Sequence, residues 1–304
     1  KIYSLFMTQT QNLASAGIAD QYAQFETSDV MTWCGGCGNY AIQNALKRAL
    51  ALEGIGRDNV IFCFDVGCSG NGSDKMEGYT VHGLHGRVLP LAAGVKIAQH
   101  NTHIICEAGD GATFSEGAGH VIHAVRNDYP VLFIHHDNQN YGLTTGQCSS
   151  LTPKGCKMNA APEGNPIEPL NPLEIVLSLK PSFVARTCCV DVEHMTEIFR
   201  QALNHKGFAF IETLQSCPTY NKHTTHEWYV ENIKFIEKEF PDYDPADIWQ
   251  AKKLVAEEVP YLGLIYHNPK RESFLEALVQ RDENDPMLID EVHQVDVSPF
   301  MTHL

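Results

Sequence analysis

The chain is short of positive charge. Its 22 lysines and arginines stand against 37 aspartates and glutamates in 304 residues, a formal net charge of −15. A surface of that sign gives a nucleic-acid backbone nothing to bind, which excludes non-specific nucleic-acid partners. Long apolar runs are missing too. Val88–Ala98 is broken by Pro90, Gly94 and Lys96 and falls short of the roughly 20 residues a membrane helix requires. Lys1–Gln11 lacks the apolar stretch of a secretory signal. There is no internal repeat and no low-complexity tract. The length allows one large domain or two small ones, each with its own core.

Cysteine is what the chain has in quantity: ten residues. Five disulfides would be conceivable in a secreted protein. Here the cysteines lie on strand-like runs and at their ends in a chain long enough to bury a core, so a reduced, cytoplasmic setting is expected. Four of them form a pattern. Cys34 and Cys37 make a C-x-x-C in Trp33-Cys34-Gly35-Gly36-Cys37-Gly38, Cys68 follows Gly67, and Cys217 precedes Pro218. Four buried small hydrophobes would be the plain reading, but the glycines around Cys34 and Cys37 fit it badly. Zinc accepts four thiolates, usually from paired C-x-x-C knuckles, and only one such knuckle is present. A 4Fe–4S cluster fits better. Cys63, Cys106, Cys188 and Cys189 are expected to be packing residues. Cys148 and Cys156 are free loop thiols without an assigned role.

Helical spacing of Ala41, Ile42, Ala45, Leu46, Ala49 and Leu50 predicts a helix directly after the C-x-x-C. Short apolar, β-rich runs follow at Val60–Phe64, His103–Glu107, Val131–His135, Phe183–Thr187 and Phe208–Thr213. Helical patterns at Glu116–Arg126, Pro172–Leu179 and His194–Ala202 lie between several of them. Such alternation predicts an α/β, doubly wound, mostly parallel sheet. Residues 1–30 read as an N-terminal arm, 31–230 as the main domain and 231–304 as an acidic, amphipathic C-terminal extension. Residues 144–171 read as one long functional loop.

Cys68, Asp110, Asn138 and Cys217 each fall just beyond a predicted strand, at the edge where open α/β sheets bind ligands. Gly109-Asp110-Gly111 alone would be a strand-to-helix turn with a capping aspartate. Asn138 stands 28 positions later, at the end of the next strand, and turns the pair into a candidate magnesium–diphosphate site. Asp110 supplies a carboxylate, Asn138 an amide oxygen and Asn140 a backbone carbonyl. The glycines let backbone approach the phosphates.

The arrangement looks like the thiamine-diphosphate motif. The wider chain, over roughly residues 30–220, resembles the β subunit of the 2-oxoacid:ferredoxin oxidoreductases. Besides the segments above, Gly67-Cys68-Ser69, His82-Gly83-x-His85-Gly86-Arg87, Tyr141-Gly142-Leu143-Thr144-x-Gly146-Gln147 and Cys217-Pro218 carry the likeness, with a fainter echo in Pro260–Tyr266. The resemblance implies thiamine diphosphate, Mg2+ and a 4Fe–4S cluster. Asp110, Asn138 and Asn140 would hold the magnesium, and Cys34, Cys37, Cys68 and Cys217 the cluster. Val66, Gly67, Cys68, Ser69, His85, Gly111, Ala112, Gly142 and Leu143 would line the thiamine diphosphate. His85, Asn71 and Thr145 would stand beside the substrate, Asn71 and Thr145 where several relatives carry a basic residue. Gly35 and Asn140 also depart from the usual residues, and Ala112 often is acidic in relatives. The implied reaction is coenzyme A-dependent oxidative decarboxylation of a 2-oxo acid, with electrons passed to ferredoxin. The glutamate that activates the cofactor belongs to a pyrimidine-binding domain not found in this chain, so an α, or fused α/γ, partner subunit is expected. A non-oxidative thiamine-dependent decarboxylase subunit and a zinc-binding, non-catalytic scaffold are the alternatives.

Overall fold

The computed structural model describes residues 16–278 and 284–291, with the single positions 296 and 298. Eight strands form one sheet: β1 (Val60–Phe64), β2 (Tyr79–His82), β3 (His103–Gly109), β4 (Leu132–Asp137), β5 (Phe183–Cys188), β6 (Ala209–Leu214), β7 (Lys234–Phe235) and β8 (Tyr261–His267). Their order is β2-β1-β3-β4-β6-β5-β8-β7, and every neighbouring pair is parallel except β5 with β8. The expected α/β class and parallel sheet are what the chain forms.

Helices cover both faces, as a parallel sheet requires. Alternate strand residues feed the two cores. Cys63, Ile104, Cys106 and Phe133 pack on one side, against Val88–Ala98 and Ala118–Asn127. Phe62, Phe64, Ile105 and Ile134 pack on the other, with Ile42, Leu46 and Phe199 of the helices Asn39–Leu52 and Val192–Leu203. Cys63 and Cys106 sit opposite one another in register, fully buried, as packing residues. All ten cysteines are free thiols.

β3 and β4 run two residues beyond the predicted apolar runs, to Gly109 and Asp137. The extra length brings buried polar residues into the sheet, among them His136, whose Nε2 lies 3.0 Å from Glu107 Oε2. β2 was not foreseen. It is an edge strand with Tyr79, Val81 and His82 exposed, so it lacks the apolar signature of its neighbours. Residues 16–30 lie on the body of the protein: Phe25 is fully buried edge-on to Phe62, and Lys47 pairs with Glu26 at 3.2 Å. Residues after 231 supply β7 and β8 and so close one edge of the same sheet. Among the described residues no helix is long and apolar enough to cross a membrane.

Candidate functional site

Four consecutive parallel strands, β1, β3, β4 and β6, deliver the chemistry. Past their C-terminal ends come Cys68, Asp110, Asn138 and Cys217. A cavity of about 60 Å³ opens there. All nine residues expected against thiamine diphosphate line it: Val66, Gly67, Cys68, Ser69, His85, Gly111, Ala112, Gly142 and Leu143. Asp110, Asn138 and Asn140 line it as well. Asn71 is half-buried and Thr145 exposed, and neither reaches the wall; Thr144 does. A larger cavity, about 800 Å³, lies at the opposite strand ends around His103, Val131 and His205 and contains none of the motif residues.

Asp110 is 1 % exposed. The Ser149 hydroxyl, from the long loop, donates to its Oδ2, while Oδ1 is buried without a hydrogen-bond partner. Burial pushes the Asp110 carboxyl up to about 7, although hydrogen bonds from Ser149 and nearby backbone work against the rise. An orphaned carboxylate oxygen in such a place is suited to a cation, which would hold the group ionised. Asn138 is pinned on both sides. Its Oδ1 accepts from Asn140 N at 3.2 Å, and its Nδ2 donates to Gln215 Oε1 at 3.4 Å.

Gly109 faces open space, as expected for backbone that a ligand approaches. Gly111 has a different reason. A Cβ there would lie 2.3 Å from the Tyr141 ring, so the glycine makes room for tyrosine rather than for phosphate. Gly142 packs on the Cys68 thiol, 3.0 Å from the place a Cβ would take.

His85 is oriented by Asp65. Its Nδ1 lies 2.9 Å from Asp65 Oδ1, and the same fully buried carboxylate accepts from the backbone N–H groups of Val66, Gly86 and Val88. The other ring nitrogen lies 3.4 Å from Glu116 Oε1, which also accepts from Tyr141 Oη at 3.4 Å. Glu116 thus contacts both His85 and Tyr141, a role that its place at the start of a helical pattern does not disclose.

The four motif cysteines are electrostatic neighbours. Burial pushes the Cys68 thiol up to about 12, and Cys37, Cys217, Cys34 and Asp110 each add to the shift. Burial likewise lifts Cys37 to about 11, with Cys217 and Cys34 contributing and Gln215 opposing. Cys37 and Cys68, buried and crowded in this way, would need a compensating cation to ionise. Among the described residues, no three His, Cys, Asp or Glu side chains gather tightly enough to hold a single metal ion.

A buried polar chain behind the cavity was not read from the sequence. His136, which lines the cavity, reaches Glu107 through Nε2 and Asn39 Oδ1 through Nδ1 at 3.1 Å. Asn39 Oδ1 also accepts from Gln215 Nε2 at 2.8 Å, and its Nδ2 donates to the Cys68 carbonyl. Trp33 Nε1 donates to that carbonyl at 2.7 Å, which ties the C-x-x-C segment to the Cys68 loop. Cys189 Sγ accepts from Ser216 N at 3.3 Å and buttresses the turn that carries Cys217. The sequence signal for these residues was adjacency alone: Asn39 follows Cys37-Gly38, and Gln215 precedes Cys217 by two.

Comparison with known proteins agrees with this geometry. Residues 65–213 match the family described as thiamine pyrophosphate enzyme, C-terminal TPP binding domain, and residues 217–283 match the C-terminal part of the pyruvate ferredoxin oxidoreductase beta subunit. The β subunit of 2-oxoacid:ferredoxin oxidoreductase 2 from Aeropyrum pernix is 33 % identical over 273 residues, covering 86 % of this chain and 88 % of that one. The corresponding Sulfolobus β subunit is 39 % identical over 218 residues, 70 % of each chain. A solved 2-oxoglutarate:ferredoxin oxidoreductase from Magnetococcus marinus, with 2-oxoglutarate, coenzyme A and succinyl-CoA bound, superposes with a TM-score of 0.79 at 27 % identity, over 93 % of this chain and 95 % of that one. This chain belongs to the family of 2-oxoacid:ferredoxin oxidoreductase β subunits.

Proposed function

We propose that this β subunit holds the thiamine diphosphate, magnesium and 4Fe–4S sites of a complex that oxidises a 2-oxo acid with coenzyme A to acyl-coenzyme A and carbon dioxide, reducing ferredoxin. One observation carries the reading: Cys68 and the magnesium-type pair Asp110 and Asn138 line one cavity, and the thiols of Cys34, Cys37 and Cys217 lie close enough to Cys68 to act on it electrostatically. A carbon centre and a one-electron carrier would then be neighbours.

The donor set fits each group. Asp110 Oδ1 is a buried oxygen in want of a cation, and Asn138 and Asn140 stand beside it in the wall. Four thiols in one neighbourhood, supplied by a single C-x-x-C and two strand ends rather than by paired knuckles, favour a cluster over the scaffold alternative. When bound, thiamine diphosphate supplies the electron sink for decarboxylation. The chain's own part is placement. Asp110 and Asn138 would hold the cation that binds the diphosphate. Leu143, 48 % exposed at the cavity mouth, offers an apolar support. His85, held by Asp65, presents a ring nitrogen beside Glu116 and is placed to hold or pass a proton at the reacting centre.

Asn71 and Thr145, where several relatives carry a basic residue, are neutral and stand outside the cavity wall. A dicarboxylic substrate would need a partner for its second charge, from Arg87, a nearby histidine or the partner subunit, and Arg87 Nη1 already donates to the Gly86 and Glu116 carbonyls. We therefore assign a small or moderately broad 2-oxo acid preference. The net charge of −15 suits docking of an acidic ferredoxin through another, less acidic subunit. The cytoplasm is the compartment proposed.

The test is anaerobic co-purification with the partner subunit. Iron and acid-labile sulfide should reach about four each per β chain at this site. Ferredoxin reduction should require both a 2-oxo acid and coenzyme A. Zinc without iron, or decarboxylation that reduces no acceptor, would overturn the reading. Comparing kcat/KM for pyruvate, 2-oxobutyrate and 2-oxoglutarate decides the substrate. Exclusive use of 2-oxoglutarate would overturn the assigned preference.

A further inference from the structure

We infer that Gln215 is a positioning residue shared by the two halves of the site, setting the orientation of a magnesium ligand and the electron affinity of the thiolate group together. The inference rests on the function proposed above.

Gln215 is 1 % exposed, and its amide is used at both ends. Oε1 accepts from Asn138 Nδ2 at 3.4 Å. Nε2 donates to Asn39 Oδ1 at 2.8 Å and points at Cys37 Sγ at 3.6 Å. Its backbone N–H is fixed to the Asp137 carbonyl at 2.8 Å, and its Cγ fills the space in front of Gly38, 2.6 Å from the place a Cβ would take. The side chain therefore has little freedom to turn.

Two consequences follow from that geometry. An amide has one donor end and one acceptor end. By accepting from Asn138 Nδ2, Gln215 fixes which end of the Asn138 amide is its nitrogen, and so directs its oxygen away toward Asn140 and the cavity. By donating to Cys37 Sγ, Gln215 draws negative charge from a thiolate. Such a hydrogen bond stabilises the reduced, more negative state of a thiolate-bound cluster and raises its potential. Asn39 completes the bridge, since it also holds His136 in the cavity wall and the Cys68 carbonyl.

Two substitutions separate these roles. Gln215→Met keeps the volume and removes both hydrogen bonds. Gln215→Glu keeps the acceptor for Asn138 and loses the amide donor. The proteins are compared as the assembled complex by two readouts other than turnover: the Kd for thiamine diphosphate at fixed Mg2+, and the midpoint potential of the β-chain cluster from an EPR-monitored titration. Gln215→Met should weaken cofactor binding about tenfold and move the potential to more negative values. Gln215→Glu should move the potential in the same direction and leave the Kd within about twofold. A folded, fully iron-loaded Gln215→Met, or Gln215→Glu if the first does not fold, with an unchanged potential would overturn the inference and leave the proposed function standing. A wild-type complex without iron would overturn that function, and this inference with it.

Discussion

Ser149 donates its hydroxyl proton to one oxygen of Asp110, and the other oxygen of that carboxylate lies buried with no hydrogen-bond partner. The long loop thus reaches across and holds the aspartate with one face free. Asp110→Ala should abolish Mg2+-dependent thiamine diphosphate binding, because the cation loses its only charged protein ligand in this wall. Ser149→Ala should weaken it by about 1.5–3 kcal/mol, the worth of a hydrogen bond to a charged group. Cofactor titrations monitored by intrinsic fluorescence check both. Unchanged affinity in Asp110→Ala would mean that the cation binds elsewhere.

The cysteines divide into two classes. Serine at Cys34, Cys37, Cys68 or Cys217 should each lower iron and acid-labile sulfide in anaerobically purified protein. Alanine at Cys106, fully buried on β3, should leave the iron content unchanged and lower only the melting temperature. Equal iron loss from both sets would show that the metal follows general stability rather than these four thiols.

Gly111 is demanded by a ring. Gly111→Ala places a methyl 2.3 Å from Tyr141 Cε1, and relieving that overlap should cost about 1–3 kcal/mol of stability. Adding Tyr141→Ala removes the clash, so a double-mutant cycle on thermal melts should give a strong favourable coupling. Additive losses would show that the ring does not constrain the glycine.

His135 is fully buried among Phe114, Phe133 and Phe210, and burial pushes its pKa down to about 3. The unfolded chain binds this proton below about 6.5, and the folded chain does not until about pH 3. Stability from the neutral folded ring is therefore complete above pH 6.5 and is lost as pH falls toward 3. His135→Phe should flatten that acid loss, by about 2 kcal/mol at pH 5 relative to pH 8. Urea melts of both proteins at the two pH values measure the difference, with the pH-independent loss of the Thr113 hydrogen bond cancelling.

The sequence disclosed what local pattern encodes. β1 runs over Val60–Phe64 as expected, because an apolar run lies between Asn59 and Asp65. Asp110 and Asn138 stood out because each directly follows such a run. β2 stayed hidden because an exposed edge strand carries no apolar run, and the ends of β3 and β4 because Ala108-Gly109 and His136-Asp137 are small or polar residues. The bridge of Asn39, His136 and Gln215 could not be read at all. Its partners lie 97 and 176 positions apart, and only the fold brings them into contact. Glu116 went unrecognised for the same reason, its role arising from contacts with His85 and Tyr141.

The small size of the cavity has one more consequence. Its 60 Å³ is far below the roughly 300–1,000 Å³ of ordinary ligand pockets, and Leu143 at its mouth is half exposed. On the function proposed above, this chain would enclose the cofactor on one side only. If the opposite wall lies on a partner subunit, the catalytic centre would obey the law of mass action. Dilution should dissolve it while both proteins stay folded, and apparent cofactor affinity should climb with partner concentration. A cell that made this chain in excess would accumulate half-sites, so matched synthesis of the two chains would set how many active centres exist.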